Sequence, residues 1–225
     1  MIRLLSDMPK SGINSAERLK IMLNKNACGS DALLWEQEKG RAYISCFEGN
    51  AVIENIDGDI DEISEFLKVI SPKTVLCDHK TAVSVFGESI TPLYVYSANT
   101  DDFKSDIVSD DLLSGDVYGI LLKSGLNLPE YEYFAADYCH KKNNGLLKVF
   151  VIKDKCAAIG QHYDKMVLIS GVASLEKGGG KAAVNGLLSQ YHGYKVYCIC
   201  NEKNRGFYEK CGFCYEYKLG FWSKL

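Results

Sequence analysis

Three consecutive glycines between two lysines, Lys177-Gly178-Gly179-Gly180-Lys181-Ala182, follow an apolar run that ends near Leu175. Glycine lets backbone amides approach a ligand closely and takes up dihedrals that other residues avoid. Behind the loop, Val184, Leu187, Leu188 and Tyr191 fall on one face of a helical repeat. A helix start carries unpaired N–H groups and a partial positive charge. Loop and helix start together suit a pyrophosphate. Two other phosphate loops fit worse. A Walker loop ends in Gly-Lys-Ser/Thr, and here Ala182 follows Lys181. A dinucleotide fingerprint wants an acidic residue at the end of the next strand, where this chain has Asn201.

The elements around the loop are legible. Pro129 opens a helix-like run from Glu130 to His140, ended by Asn143-Asn144-Gly145. Leu147–Lys153, Cys156–His162 and Met166–Leu175 read as strands joined by Asp-Lys turns. Lys195–Cys200 reads as a buried strand, Asn204–Cys211 as a short helix, and a last strand starts at Phe213. The first half repeats the order in shorter form. Ala42–Phe47 and Ala51–Asn55 form a hairpin around Glu48-Gly49-Asn50. A helix follows with Ile60, Ile63, Phe66, Leu67 and Ile70 on one stripe, then a strand at Thr74–Cys77, a helix at His79–Phe86 and a strand at Leu93–Tyr96. Val75-Leu76-Cys77-Asp78 parallels the segment from Val196 to Asn201, and Phe86-Gly87 parallels Cys211-Gly212. These matches predict two related subdomains, residues 1–97 and 98–225, with a linker near Ala98 to Asp106. Two unrelated α+β halves would give a similar pattern.

Asn201, Phe207, Tyr208, Lys210, Gly212 and Phe213 stand in the order Asn-x-x-x-x-x-Phe-Tyr-x-Lys-x-Gly-Phe. This resembles the second signature of the GNAT superfamily of acyl-CoA-dependent N-acetyltransferases. Lys177, Gly180 and Ala182 resemble the first signature, Arg/Gln-x-x-Gly-x-Gly/Ala, with Lys177 in the Arg/Gln place. Asn204 stands where Ala is usual. One helix and one strand separate the two signatures, as in the family. The resemblance covers roughly Asp116 to Leu225, and the first half looks like the degenerate GNAT-like half of two-part members.

The resemblance implies an α+β fold of two GNAT-like subdomains, each a mixed, mostly antiparallel sheet flanked by helices. It implies acetyl-CoA as co-substrate, no metal, and direct attack of a primary amine on the thioester. The strand edge from Val172 to Ser174 would pair with the pantetheine arm, one amide acting as an oxyanion hole. Lys177, Gly178, Gly179, Gly180, Lys181 and Ala182 would hold the pyrophosphate, and Asn201 would touch the arm. Tyr208 would protonate the departing thiolate, a task a positioned phenol performs; a plain core aromatic beside Phe207 is the other reading. Glu176 is the first choice for a base, ahead of Asp164, His162 or a water chain. In the first half, the segment from Asn55 to Glu62 carries Asp57, Asp59, Asp61 and Glu62 where the glycine loop would be. That segment suits a helix start and repels a pyrophosphate.

Composition narrows the rest. A formal charge of -3, with no Lys/Arg run longer than two residues, disfavours a nucleic-acid partner. Nine cysteines without a secretory leader point to a reducing, cytoplasmic setting. No apolar run is long enough for a membrane span. Cys198, Cys200, Cys211 and Cys214 raise a zinc site, but only the last pair has structural-zinc spacing. His140 reads as a helix C-terminal cation, and the final Ser223-Lys224-Leu225 as a chance match to a peroxisomal address. The resemblance implies a small-molecule or peptide amine as acceptor, and oligomeric state stays open. Two rivals are a catalytically silent acyl-CoA-binding module and an aminoacyl-tRNA-dependent transferase; the acidic balance and the phosphate loop count against the latter.

Overall fold

Strand alternation and helical stripes both carry through into the computed structural model, which describes residues 1–7, 15–110 and 113–224. The elements in chain order are β1 (Ile2–Leu4), α1 (Ala16–Cys28), β2 (Leu33–Gln37), β3 (Ala42–Phe47), β4 (Asn50–Asn55), α2 (Ile60–Ile70), β5 (Thr74–Asp78), α3 (His79–Phe86) and β6 (Thr91–Asn99). They continue with α4 (Ser114–Lys123), α5 (Tyr131–Asn143), β7 (Leu147–Ile152), β8 (Cys156–Tyr163), β9 (Met166–Ser174), α6 (Gly179–Leu188), β10 (Lys195–Cys200), α7 (Arg205–Lys210) and β11 (Cys214–Ser223). Two expectations shift. The helix after β9 begins inside the glycine loop, at Gly179, and Tyr191 lies beyond its last residue, Leu188, although it is buried.

The chain divides into two compact units. The first comprises Met1–Val95, Ile199–Arg205 and Tyr215–Leu225; the second comprises Tyr96–Cys198 and Gly206–Cys214. The sequence boundary at 97 lies beside the first crossing, and most of the last strand of the chain is counted with the first unit.

In the first unit the strand order is β1-β2-β3-β4-β5-β11. The first four are antiparallel neighbours. Glu48 and Gly49 both have positive φ, 50° and 83°, as a tight hairpin turn between twisted strands requires. The chain then crosses through α2 to β5, which runs parallel to β4, and β11 pairs antiparallel with β5 from Leu219/Asp78 to Ser223/Thr74. The stripe of α2 explains the crossover: Ile63 and Leu67 are buried against Ile44, Ile53 and Val75. Full burial of each such side chain stabilises by about 1.5–3 kcal/mol.

In the second unit the order is β6, from Tyr96 on, then β10-β9-β8-β7. Strands β7, β8 and β9 are antiparallel, and α6 carries the chain to β10, parallel to β9. The two sheet faces take different helices because strand side chains alternate. On one face Val117, Ile120 and Leu121 of α4 and Tyr138 of α5 pack on Leu147, Val151, Ala157 and Ile159. On the other, Gly186 of α6 lies against Phe150, so close that an added Cβ would sit 2.2 Å from the ring. Both units thus run antiparallel strands, a crossover helix, a parallel strand and a short helix, as the internal repeat predicts. Among the described residues no helix is long and apolar enough to cross a membrane.

Candidate functional site

Strand β9 ends in a side-chain-stabilised turn. The Ser174 hydroxyl donates to the Glu176 carbonyl at 2.5 Å and accepts from the Glu176 N–H at 3.3 Å. The Gly179 N–H donates to the same carbonyl at 3.3 Å. Gly178 then caps α6 with φ 87°, in the left-handed region that favours glycine. The other two glycines are closely approached by side chains. A Cβ on Gly179 would meet Ser174 Oγ at 2.5 Å, and one on Gly180 would meet the Phe207 ring at 3.1 Å.

The backbone donors expected of a phosphate cradle are present. Ala182 N–H is taken by the Gly178 carbonyl at 3.3 Å. The N–H groups of Gly180 and Lys181, in the first turn of the helix, have no hydrogen-bond partner among the described residues. Lys177 and Lys181 are exposed beside them. Lys181 also acts on Cys211, whose thiol is pushed up by burial and drawn partly back by the lysine charge. A helix start, two free amides and two ammonium groups fit a pyrophosphate chemically.

The corresponding place in the first unit is filled. Asp59 Oδ1 accepts from the N–H groups of Asp61 and Glu62 at 3.0 and 3.1 Å. Asn55 Oδ1 accepts from Gly58 N–H at 2.7 Å, and Gln37 Oε1 from Asp59 N–H at 2.8 Å. Side chains thus take the N–H groups of Gly58, Asp59, Asp61 and Glu62 around the start of α2.

Next to the second unit's loop, one strand edge comes free. The parallel ladder between β9 and β10 runs from Met166/Lys195 to Ile169/Cys198 and stops there. At that point β9 has a bulge: Ile159 pairs with Gly171 and Gly160 with Ile169, leaving Ser170 as the extra residue. A bulge flips the alternation that follows it. Beyond it, the Leu175 N–H bonds to the Lys155 carbonyl at 2.7 Å. By antiparallel alternation Ala173 and Gly171 then turn their main-chain groups towards β8. Those of Val172 and Ser174 face the opposite edge, where β10 no longer pairs.

The remaining sequence candidates fall in different places. Tyr208 lies in α7 next to Phe207, the ring that packs on Gly180. It is 8% exposed, with its ring edge-on to Phe207 and Phe213 at 5.0 and 5.6 Å. Glu176 is exposed at the loop and faces Lys155, 3.8 Å away. Asn201 is exposed and belongs to the first unit, where the turn after it is fixed by an Arg205–Glu202 ion pair of 3.0 Å and by Arg205 lying 4.4 Å over the Tyr94 ring. His162 pairs with Val167 near the start of β9, at the far end of the strand from the loop, as does the Asp164 turn. Its ring nitrogen lies 3.2 Å from the Tyr191 hydroxyl, and burial followed by the Lys148 charge lowers its pKa. His140 contacts Asn144 in the last turn of α5. Among the described residues no group of three or more His, Cys, Asp or Glu is placed to hold a metal. Sequence reasoning missed the bulge, although Ser170-Gly171 interrupting the apolar run of β9 was its trace.

No family model matches this chain, and no curated protein matches its sequence. Solved structures do match its fold. A GCN5-related N-acetyltransferase from Sphaerobacter thermophilus superposes with a TM-score of 0.55 at 11% identity, over 99% of this chain and 95% of that one. A tandem GNAT protein from the clavulanic acid biosynthesis pathway gives 0.53 at 10% identity, over 96% and 90%. The chain has the GNAT fold. A functionally unknown conserved protein from Staphylococcus epidermidis ATCC 12228 is also similar, at 0.57 and 12% identity over 84% and 93%. The likeness to a tandem GNAT protein spans nearly the whole chain. The segments that resemble the two signatures lie in the second unit except for Asn201 to Arg205, and in the first unit side chains accept from N–H groups around the start of α2.

Proposed function

We propose that the second unit binds acetyl-CoA and transfers the acetyl group to a primary amine by direct attack, without a covalent enzyme intermediate. One observation carries the reading. A helix start with two unpaired amides and two lysines follows directly on a strand edge, at Val172 and Ser174, that β10 has left open. Acetyl-CoA supplies the activated acyl carbon and a thiolate leaving group. In this reading Lys177, Gly178, Gly179, Gly180, Lys181 and Ala182 hold the pyrophosphate. Val172 and Ser174 offer main-chain groups to the arm, and an N–H there polarises the thioester carbonyl. The amine nitrogen bonds to the carbonyl carbon as the carbon–sulfur bond breaks. The nitrogen gives up one proton, and Tyr208 delivers one to sulfur. Glu176 is the base carried over from the sequence, and it lies 3.8 Å from Lys155 at the loop. The contact assigned to Asn201 rests on its motif alone.

A second reading is a silent acyl-CoA-binding module. The tight packing of the Tyr208 ring favours it. Both readings share the cradle, so binding is tested first. Calorimetry should show acetyl-CoA bound by the full chain and weakened by Lys181→Glu, which leaves the glycine packing untouched. Reversing a charge at a helix start costs about 1–2 kcal/mol, or roughly five- to thirtyfold in Kd. No binding, or equal binding by the variant, removes the cradle. Release of free thiol with an amine then separates the enzyme from the silent module.

A further inference from the structure

A small cavity of about 220 Å³ opens on the α4–α5 face of the second unit, with Gly171 and the bulged Ser170 in its wall. Gly171 is one residue, about 3.4 Å along the strand, from the free edge at Val172. The missing side chain of Gly171 faces this cavity: a Cβ there would sit 3.6 Å from Leu121 and 4.0 Å from Ile159. The volume falls below the roughly 300–1,000 Å³ of drug-sized ligand sites, so its occupant is small. Leu121, Leu126, Leu128, Phe134 and Ile159 give it an apolar body.

The charges are sparse and one-sided. Among the described residues Asp137 is the one charged residue lining the cavity, alongside the neutral Asn127, Gln161 and Ser170. The Asp137 carboxylate already holds Lys141 at 2.8 Å. An acceptor with its own carboxylate or phosphate would bring an anion to a wall whose own charged side chain is a carboxylate and whose neighbouring Lys141 is already paired with it. A polyamine would strip water from a second ammonium group against leucine and phenylalanine. We infer that the acceptor is a small monoamine with an apolar alkyl or aryl body and no anionic group, seated in this cavity with its nitrogen towards Val172. The inference rests on the acetyltransfer reading for the direction of the nitrogen, and on the cavity alone for the class of molecule.

The test uses the full chain, with and without saturating coenzyme A. Binding of 2-phenylethylamine, phenylalanine and spermidine is followed by saturation-transfer NMR and calorimetry. The first two share a body and differ by one carboxylate. 2-Phenylethylamine should bind at least tenfold more tightly than either. Gly171→Leu should abolish that binding by filling the cavity, with the far-ultraviolet spectrum unchanged. Leu126→Trp narrows the same cavity at its half-exposed rim and should weaken the amine at least fivefold should Gly171→Leu misfold. Equal or tighter binding of phenylalanine or spermidine overturns the inference, as does undiminished amine binding by a folded filled variant. Absence of amine binding in a chain that binds acetyl-CoA also overturns it, and leaves the cradle standing. Amine binding without acetyl-CoA binding overturns the acetyltransfer reading and leaves the cavity assignment standing.

Discussion

Replacing Glu17 by Gln should stabilise the first unit, and only above acidic pH. Glu17 lies in the first turn of α1 and is 4% exposed. Its Oε2 accepts from the Tyr217 hydroxyl at 2.5 Å, and that hydroxyl accepts from the Ala16 N–H at 2.9 Å. Burial pushes the carboxyl from the ordinary 4.5 up to about 7, against the lowering effect of the Tyr217 bond; the nearby charges of Glu54 and Asp78 raise it further. A group that holds its proton more tightly when folded adds stability below its unfolded pKa and loses it as pH rises through the folded value. The window here is about 4.5 to 7, and the loss is about 3 kcal/mol by pH 8. Gln imitates the protonated carboxyl and still accepts from Tyr217. The variant and the parent should therefore unfold alike near pH 4.5 and differ by about 3 kcal/mol at pH 8. Urea unfolding read by tryptophan fluorescence reports the right unit, because both tryptophans, Trp35 and Trp222, lie in it. A stability difference that is the same at pH 5 and pH 8 would refute the argument, as would a variant less stable at pH 8.

Three further outcomes follow from the geometry. Tyr208→Phe should leave acetyl-CoA affinity within twofold while turnover falls roughly 10- to 1,000-fold; steady-state kinetics showing full activity would remove the residue from the mechanism. Titration should find one acetyl-CoA per chain, since Asp59, Asn55 and Gln37 take the N–H groups of Gly58, Asp59, Asp61 and Glu62 around the start of α2, and two equivalents would contradict that assignment. Gly186→Ala should destabilise the second unit by about 1–3 kcal/mol through overpacking against Phe150, despite a helix-propensity gain of about 1 kcal/mol; amide exchange should show the loss relieved in the Phe150→Leu background.

The sequence alone determined what local pattern can determine. The hairpin at Glu48-Gly49, the stripe of α2, the strands from Leu147 to Ser174 and the glycine loop before α6 were all legible, because each is set by side chains within a few turns or a single strand of one another. The closed start of α2 was legible too, from Asp57, Asp59, Asp61 and Glu62. Helices α1 and α4 and strands β1 and β2 were not read. The apolar stripe of α1 is broken by Glu17 and Arg18, which are buried only because Tyr217 and Glu54 meet them. Tertiary structure decided the rest. Which amides of β9 face the open edge depends on one bulged residue, Ser170, since a single insertion reverses every side-chain and hydrogen-bond direction beyond it. Gly179 and Gly180 pack against Ser174 and Phe207, partners that no spacing rule identifies. The Glu17–Tyr217 bond joins residues at opposite ends of the chain because β11 pairs with β5. A sequence records which groups need a partner; the pairing of distant strands decides which partner arrives.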